Sequence, residues 1–125
     1  MILLTDDLRN RLLANGRQRD IDHVPVVKFF NPVGAATWLI TEMEADGDTL
    51  FGLADLGFGC PELGSCSLAE LTSVRLPFGL GIERDILFQA TLPISVYAEA
   101  ARQAGSIVES EQLLYAAAAM LRDRR

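Results

Sequence analysis

The 125-residue chain has few of the residues that bind metals or form disulfides. It contains one histidine, His23, and two cysteines, Cys60 and Cys66. A tetrahedral structural zinc site needs more soft ligands than these, so we expect no metal and no other cofactor. A disulfide would be unusual in a reducing cytosol, and we expect two small, partly buried thiols instead.

Long apolar runs and basic charge are also scarce. No run approaches the roughly 20 apolar residues that span a bilayer, and the acidic start differs from a signal peptide, so we expect a cytoplasmic protein that does not enter a membrane.

The formal net charge is −6, with a pI near 4.6. Binding to duplex nucleic acid releases counterions against a basic surface, so we expect no non-specific duplex binding. The scarcity of lysine (Lys28 is the only one) and the alanine-rich ending are typical of a GC-rich bacterial genome.

Catalytic motifs are missing as well. The glycines at 57, 59 and 64 fit neither GxxxxGK nor GxGxxG, and the segment 64–67 lacks the G-x-S-x-G spacing of a nucleophile elbow. His23 lies among acidic residues in a charged connector, where a lone histidine is more often solvated surface than a catalytic base. We therefore assign no catalytic residue, and the balance is against an enzyme.

Half of the residues are apolar, which predicts one folded domain over residues 1–125. Two alternating runs, 36–43 and 50–56, flank an Asp-Gly pair, which is a strong β-hairpin signal. The run 24–30 predicts an earlier strand, and Asn31–Gly34 predicts a three-residue loop with a bulge that turns the chain into the next strand.

Capping residues predict four helices: one over 5–13 with Thr5 as its cap, one from Ser67 to about Arg75, one over 93–103 and one over 111–122. Ser67 and Glu70 form the capping box of the second helix. Further strands are expected at 63–66 and 82–90. The fold class is α+β, a mostly antiparallel sheet of four or five strands with N-terminal, middle and two C-terminal helices packed on it. The alternative is that the last helix, about 110–122, is an appendage; its alanine run permits a homodimer.

The two hairpins, with Asn31 facing Ala35 and Ala45 facing Asp48, predict a row of three side chains on one sheet face. That row is Lys28–Trp38–Asp55, and Glu42 lies on the same face. One interpretation is structural: a cation–π contact and an ion pair that stabilise the sheet by about 1 kcal/mol. The other is a ligand-binding platform, with the Trp38 ring as a flat apolar surface, Lys28 for an anion, and Asp55 and Glu42 for hydrogen-bond donors.

An ordered set of short motifs resembles the bacterial DUF2958 family over about residues 3–109. The motifs are Val27-Lys28-Phe29-Phe30, Thr37-Trp38, Glu42, Phe51-Gly52, Glu62-Leu63-Gly64, Ser67-Leu68-x-Glu70-Leu71 and Glu83-Arg84-Asp85. The resemblance implies a small single-domain protein, of a kind often encoded near plasmid and mobile-element genes, with no assigned biochemical activity. It transfers no catalytic residues.

Three functions follow as hypotheses. The first is a non-catalytic accessory or interaction domain with a protein partner, linked to mobile genetic elements. The second is a small-ligand-binding domain or small enzyme that uses a pocket of Lys28, Trp38 and Asp55. The third is a nucleic-acid-associated accessory factor that stacks single-stranded bases on Trp38 and Phe30.

Overall fold

An open antiparallel sheet with helices on both faces makes up the computed structural model, which describes residues 1–124. In chain order the elements are α1 (Asp6–Gly16), β1 (Val27–Phe30), β2 (Thr37–Met43), β3 (Thr49–Asp55), β4 (Glu62–Ser67), α2 (Leu68–Ser73), a 3-10 turn (Pro77–Gly79), β5 (Glu83–Arg84), α3 (Ile94–Ala104) and α4 (Glu111–Asp123). The five strands lie in the order β4-β3-β2-β1-β5. The predicted α+β class is confirmed.

Each face of the sheet has its own apolar core. The face toward α1 buries side chains of the three central strands together with Leu12 of that helix: Val27, Phe29, Trp38, Ile40, Met43 and Leu50. The opposite face buries Leu39 and Leu53 against α3 and α4. The predicted pairing of Lys28 with Trp38 would put the neighbouring residues Phe29 and Leu39 together on the other face, which is wrong, because Trp38 pairs with Phe29 and Leu39 with Lys28.

The first helix begins where its cap predicts. The hydroxyl of Thr5 accepts a hydrogen bond from the amide of Leu8 at 3.2 Å. The helix extends three residues beyond its predicted end at 13, and Gly16 is its last residue. A Cβ atom at Gly16 would lie 2.0 Å from the carbonyl oxygen of Met43, so this glycine permits close contact between α1 and β2.

The β2–β3 hairpin carries a bulge that the sequence does not reveal. Next to the turn, Met43 pairs with Leu50 and Glu42 with Phe51, the register predicted from the Asp-Gly pair. At Thr41 the register shifts by one residue, so that beyond it Trp38 pairs with Ala54. An extra residue on one strand changes every pairing beyond it, and the predicted pairing of Trp38 with Asp55 is therefore wrong.

The β1–β2 loop is one residue longer than expected. The amide of Asn31 donates to the carbonyl of Ala36 at 2.9 Å, and Phe30 pairs with Thr37. The Asn31 side chain also accepts a hydrogen bond from the amide of Val33 at 2.9 Å, which stabilises this wider turn. As a result Trp38 pairs with Phe29 and not with Lys28, and the predicted register of this hairpin is wrong.

The start of α2 is joined to the β2–β3 turn through one carboxylate. The Ser67 hydroxyl accepts from the Glu70 amide at 3.2 Å, which confirms one half of the predicted capping box. Asp48 supplies the rest of the cap: its two carboxylate oxygens accept from the Ser67 hydroxyl and the Ala69 amide, each at 2.8 Å. Asp48 thereby ties the turn to the helix.

The segment predicted as a strand over 82–90 is mostly irregular. Glu83 and Arg84 pair with β1, and the strand ends where the amide of Asp85 donates to the carbonyl of Lys28 at 3.0 Å. The carboxylate of Asp85 accepts a hydrogen bond from the Leu87 amide at 2.9 Å and so turns the chain away from the sheet. Farther on, α3 ends at Ala104, one residue beyond its predicted end, and Gly105 follows in the left-handed conformation; Ser110 caps α4.

Candidate functional site

The four predicted site residues do not form one site. Lys28 lies in a row with Leu39 and Leu53, on the face that α3 and α4 cover. Asp55 lies on that face too, two residues along from Leu53. Trp38 points to the opposite face, so the predicted Lys28–Trp38–Asp55 row is wrong.

Lys28 and Asp55 both bind residues of the segment that connects α3 to α4. The ammonium of Lys28 lies 2.6 Å from the carboxylate of Glu109 and 3.6 Å from that of Asp85. The Asp55 carboxylate, in a side chain that is 5% exposed, accepts from the amides of Gly57 at 2.9 Å and Ile107 at 3.0 Å. These contacts give both side chains a structural role in the fold.

Trp38 forms one wall of a groove on the α1 face of the sheet, which we call the Trp38 groove. Its volume is about 180 Å³, and its lining comes from β2, β3 and β4: Trp38, Ile40, Gly52, Leu53, Ala54, Glu62, Leu63, Gly64, Ser65 and Cys66. A Cβ atom at Gly64 would meet no atom of residues 1–124 within 4 Å, so the groove is open above this glycine. Trp38 as a whole residue is 9% exposed.

Glu42 lines a second groove, the Glu42 groove, on the opposite face of the same strands. This groove has a volume of about 220 Å³ and is lined by Arg19, Glu42, Glu44, Thr49, Phe51 and Ser65. Arg19 forms an ion pair with Glu44 at 2.5 Å. From residues 1–124 the Glu42 carboxylate accepts only a long hydrogen bond, 3.4 Å, from the hydroxyl of Thr41, so these residues compensate its charge little.

Strand β4 lies between the two grooves and forms one edge of the sheet. Its first four residues, Glu62 to Ser65, are exposed. The Leu68 amide donates to the carbonyl of Asp48. Hydrogen-bonded and non-hydrogen-bonded pairs alternate along an antiparallel ladder, so counting back from Leu68 makes Gly64 a hydrogen-bonded residue and its neighbours Leu63 and Ser65 non-hydrogen-bonded ones. The backbone N–H and C=O groups of Leu63 and Ser65 therefore point away from β3. These groups are ready to pair with another strand.

The sequence predicts a strand at 63–66 but not that it is an edge. Whether a strand is central or peripheral depends on which strands pair, and local residue type does not encode this. The only available signal was the small size of Gly64, Ser65 and Cys66, which leaves the strand surface unfilled on both faces.

Negative charge surrounds this edge. Burial raises the pKa of the Cys66 thiol to about 11, and the nearby carboxylates of Glu70 and Asp48 add to the increase. At the other end of the strand, Glu62 is exposed.

Cys60 is exposed, contrary to the expectation of two partly buried thiols. Within residues 1–124, no three His, Cys, Asp or Glu side chains are grouped to hold a metal ion.

His23 differs from its prediction as a solvated residue. It is 8% exposed, and its Nε2 lies 2.7 Å from the carbonyl oxygen of Gln18. Its own carbonyl accepts from the amide of Ile94, at the start of α3. The ring therefore stabilises the connector between α1 and β1, where the sequence shows only charge and no periodicity.

Comparison with known proteins assigns a family but no activity. The model of a protein family of unknown function (DUF2958) matches residues 3–108, which end two residues before the cap of α4. Neither the curated proteins nor the solved structures include a match. In the part of the chain that the structure describes, no helix is long and apolar enough to cross a membrane. With the match spanning most of its length, the chain belongs to the DUF2958 family.

Proposed function

We propose that the protein is a non-catalytic interaction domain that binds an extended segment of a partner protein along the edge of β4. The observation that carries this proposal is the backbone edge at Leu63 and Ser65, which no second strand of residues 1–124 covers. In strand addition, main-chain hydrogen bonds to such an edge supply affinity, and pockets beside it select side chains.

The edge lacks the features that usually prevent pairing between sheets. Natural edge strands are protected by lysine, proline, a bulge or short length. Strand β4 has six residues and pairs with β3 at every position without a bulge, and its sequence, ELGSCS, has neither lysine nor proline. The opposite edge strand, β5, has only two residues. This contrast favours β4 as the binding edge.

The proposal also includes a bacterial, cytoplasmic setting and an accessory role in mobile genetic elements. The resemblance of the chain to the DUF2958 family and its arginine-rich composition support this setting. A homodimer through α4 stays a prediction; the side chains that this helix exposes are Leu113, Tyr115 and Met120.

The two other hypotheses have less support. A ligand pocket of Lys28, Trp38 and Asp55 would require side chains from opposite faces of the sheet to meet. Stacking of single-stranded bases on Trp38 would require a more exposed ring, because the residue as a whole is only 9% exposed.

A matched pair of variants tests strand addition. Because the Ser65 amide points outward, Ser65→Pro removes a donor from the free edge without breaking a bond to β3, whereas Ser65→Ala keeps the donor. Tagged wild type and Ser65→Ala are expected to retain the same near-stoichiometric protein from native lysate, and Ser65→Pro to lose it while its thermal melting stays cooperative. Equal retention by folded Ser65→Pro would contradict the proposal.

A further inference from the structure

We infer that the segment bound along β4 alternates apolar and basic residues, with apolar side chains in the Trp38 groove and the neighbouring Lys or Arg side chains in the Glu42 groove. This inference rests on the proposed function and specifies the chemistry of the partner. It follows from the position of the two grooves on either face of one edge strand.

The alternation follows from strand geometry. Successive side chains of a strand point to opposite faces of the sheet, so neighbouring residues of an added strand reach different grooves. Ser65 lines both grooves, which therefore meet at a single position of β4. A residue opposite Gly64 projects on the Trp38 face, and the next residue, opposite Ser65, projects on the Glu42 face.

The Trp38 groove favours an apolar side chain. The space above Gly64 is unoccupied, and the indole of Trp38 and the side chain of Ile40 form apolar walls beside it. Its volume of about 180 Å³ suits one branched aliphatic side chain. Because Trp38 and Ile40 are themselves nearly buried, the apolar surface that such a side chain would remove from water belongs to the partly exposed Ala54 and Cys66 on the same face, and covering it stabilises the complex.

The Glu42 groove favours a cation. Arg19, its one basic lining residue, is already paired with Glu44, so Glu42 remains available to a Lys or Arg from outside. The aromatic ring of Phe51 lies beside it as a surface for the alkyl part of such a side chain. The formal net charge of −6 acts in the same direction, because it attracts a basic segment and repels an acidic one.

Two designed nine-residue peptides test the inference, each acetylated and amidated. One alternates Val and Lys, and the other alternates Val and Glu. Trp38 is the only tryptophan, so its fluorescence reports on the groove directly. We expect the Val–Lys peptide to shift the Trp38 emission on titration and the Val–Glu peptide to bind at least about tenfold more weakly, which corresponds to about 1.4 kcal/mol.

Variants separate the two grooves. Glu42→Gln is expected to weaken the Val–Lys peptide about fivefold and to reduce its salt dependence, as loss of a partly exposed ion pair should. Glu83→Gln, on the opposite edge strand, is the matched control and should leave affinity unchanged. Gly64→Val fills the Trp38 groove and should abolish the fluorescence change.

The outcomes distinguish this inference from the proposed function. Equal affinity for the two peptides, lost in both cases in Ser65→Pro, would overturn the charge preference and leave strand addition in place. Affinity that is unaffected by Ser65→Pro would overturn strand addition itself. If neither peptide binds but a lysate protein is retained through Ser65, the alternating pattern is wrong and the binding edge is right.

Discussion

The ammonium of Lys28 on β1 lies 2.6 Å from the carboxylate of Glu109, which is 81 residues farther along the chain. Asp55 on β3 makes a parallel connection, because it accepts from the amide of Ile107. Together the two side chains fasten the segment between α3 and α4 to the sheet. This segment positions α4, whose Leu114 and Ala117 complete the second core.

The Lys28–Glu109 pair should stabilise the fold modestly. The Lys28 side chain is 18% exposed and that of Glu109 is 41% exposed, so solvent screens the attraction in part. A double-mutant cycle with Lys28→Met and Glu109→Gln, measured by urea unfolding, is expected to give a coupling free energy of about 0.5–1 kcal/mol. The more exposed Arg19–Glu44 pair serves as the control and should give less. A Lys28 coupling that does not exceed the control would contradict this role.

Asp55→Asn should destabilise the protein more. The carboxylate accepts from two backbone amides with its two oxygens, whereas an asparagine has one oxygen and an NH₂ group that cannot accept. One buried amide would lose its partner, at a cost of about 2 kcal/mol in the free energy of unfolding. Urea unfolding measures the change, and an unchanged midpoint would show that the Asp55 contacts contribute little.

Gly16→Ala should reverse the usual effect of alanine in a helix. Alanine normally stabilises a helix interior by about 1 kcal/mol relative to glycine. Here the new Cβ would lie 2.0 Å from the Met43 carbonyl oxygen, so α1 must move off β2. We expect a net loss of about 2 kcal/mol in unfolding free energy, as in other overpacked sites. Gly64→Ala, where the space is open, is the matched control; a stabilised Gly16→Ala would contradict this view of the contact.

Most of the elements were predictable from local chemistry, with the segment 82–90 as an exception, but the strand pairings were not. Thr5, Ser67 and Ser110 mark helix starts because a hydroxyl acceptor is needed there, and the structure uses all three. The bulge at Thr41 depends on how β2 lies against β3 and α1, and threonine is an ordinary strand residue. A single extra residue was enough to move Trp38 to a different partner.

The candidate site shows the same limit. Trp38 and Glu42 do line grooves, but on opposite faces, and the edge strand between them belongs to a part of the chain that the predicted row did not include. Lys28 and Asp55 find their partners in the 107–109 segment, which the sequence marked only as a connection between helices. Contacts across 81 and 52 residues leave no signal in local periodicity.

Stability should fall in acid partly through Glu99, a buried carboxylate on α3. Burial by itself would raise the pKa of Glu99, but hydrogen bonds from Arg124, Arg102 and Gln103 outweigh it and hold the pKa below its ordinary value. A lowered folded-state pKa gives stability that is present above the unfolded value, about 4.3, and is lost as the pH falls through the folded value.

Thermal melting of wild type and Glu99→Gln between pH 7 and pH 3 checks this expectation. The difference in melting temperature should be largest near neutral pH and shrink below about pH 4. Asp46, whose pKa is lowered chiefly by the hydroxyl of Thr49, titrates in the same direction, so only the difference between the two proteins is informative. A difference that does not change with pH would contradict the charged role of Glu99.

Amide hydrogen exchange at Leu63 and Ser65 tests strand addition along β4 most directly. These two amides point outward from the sheet, whereas that of Gly64 bonds to β3. With a saturating Val–Lys peptide, exchange at Leu63 and Ser65 is expected to slow at least about tenfold, to a rate near that of Gly64. Unchanged exchange at both amides, with the peptide bound, would show that the partner binds elsewhere and would contradict the proposed function.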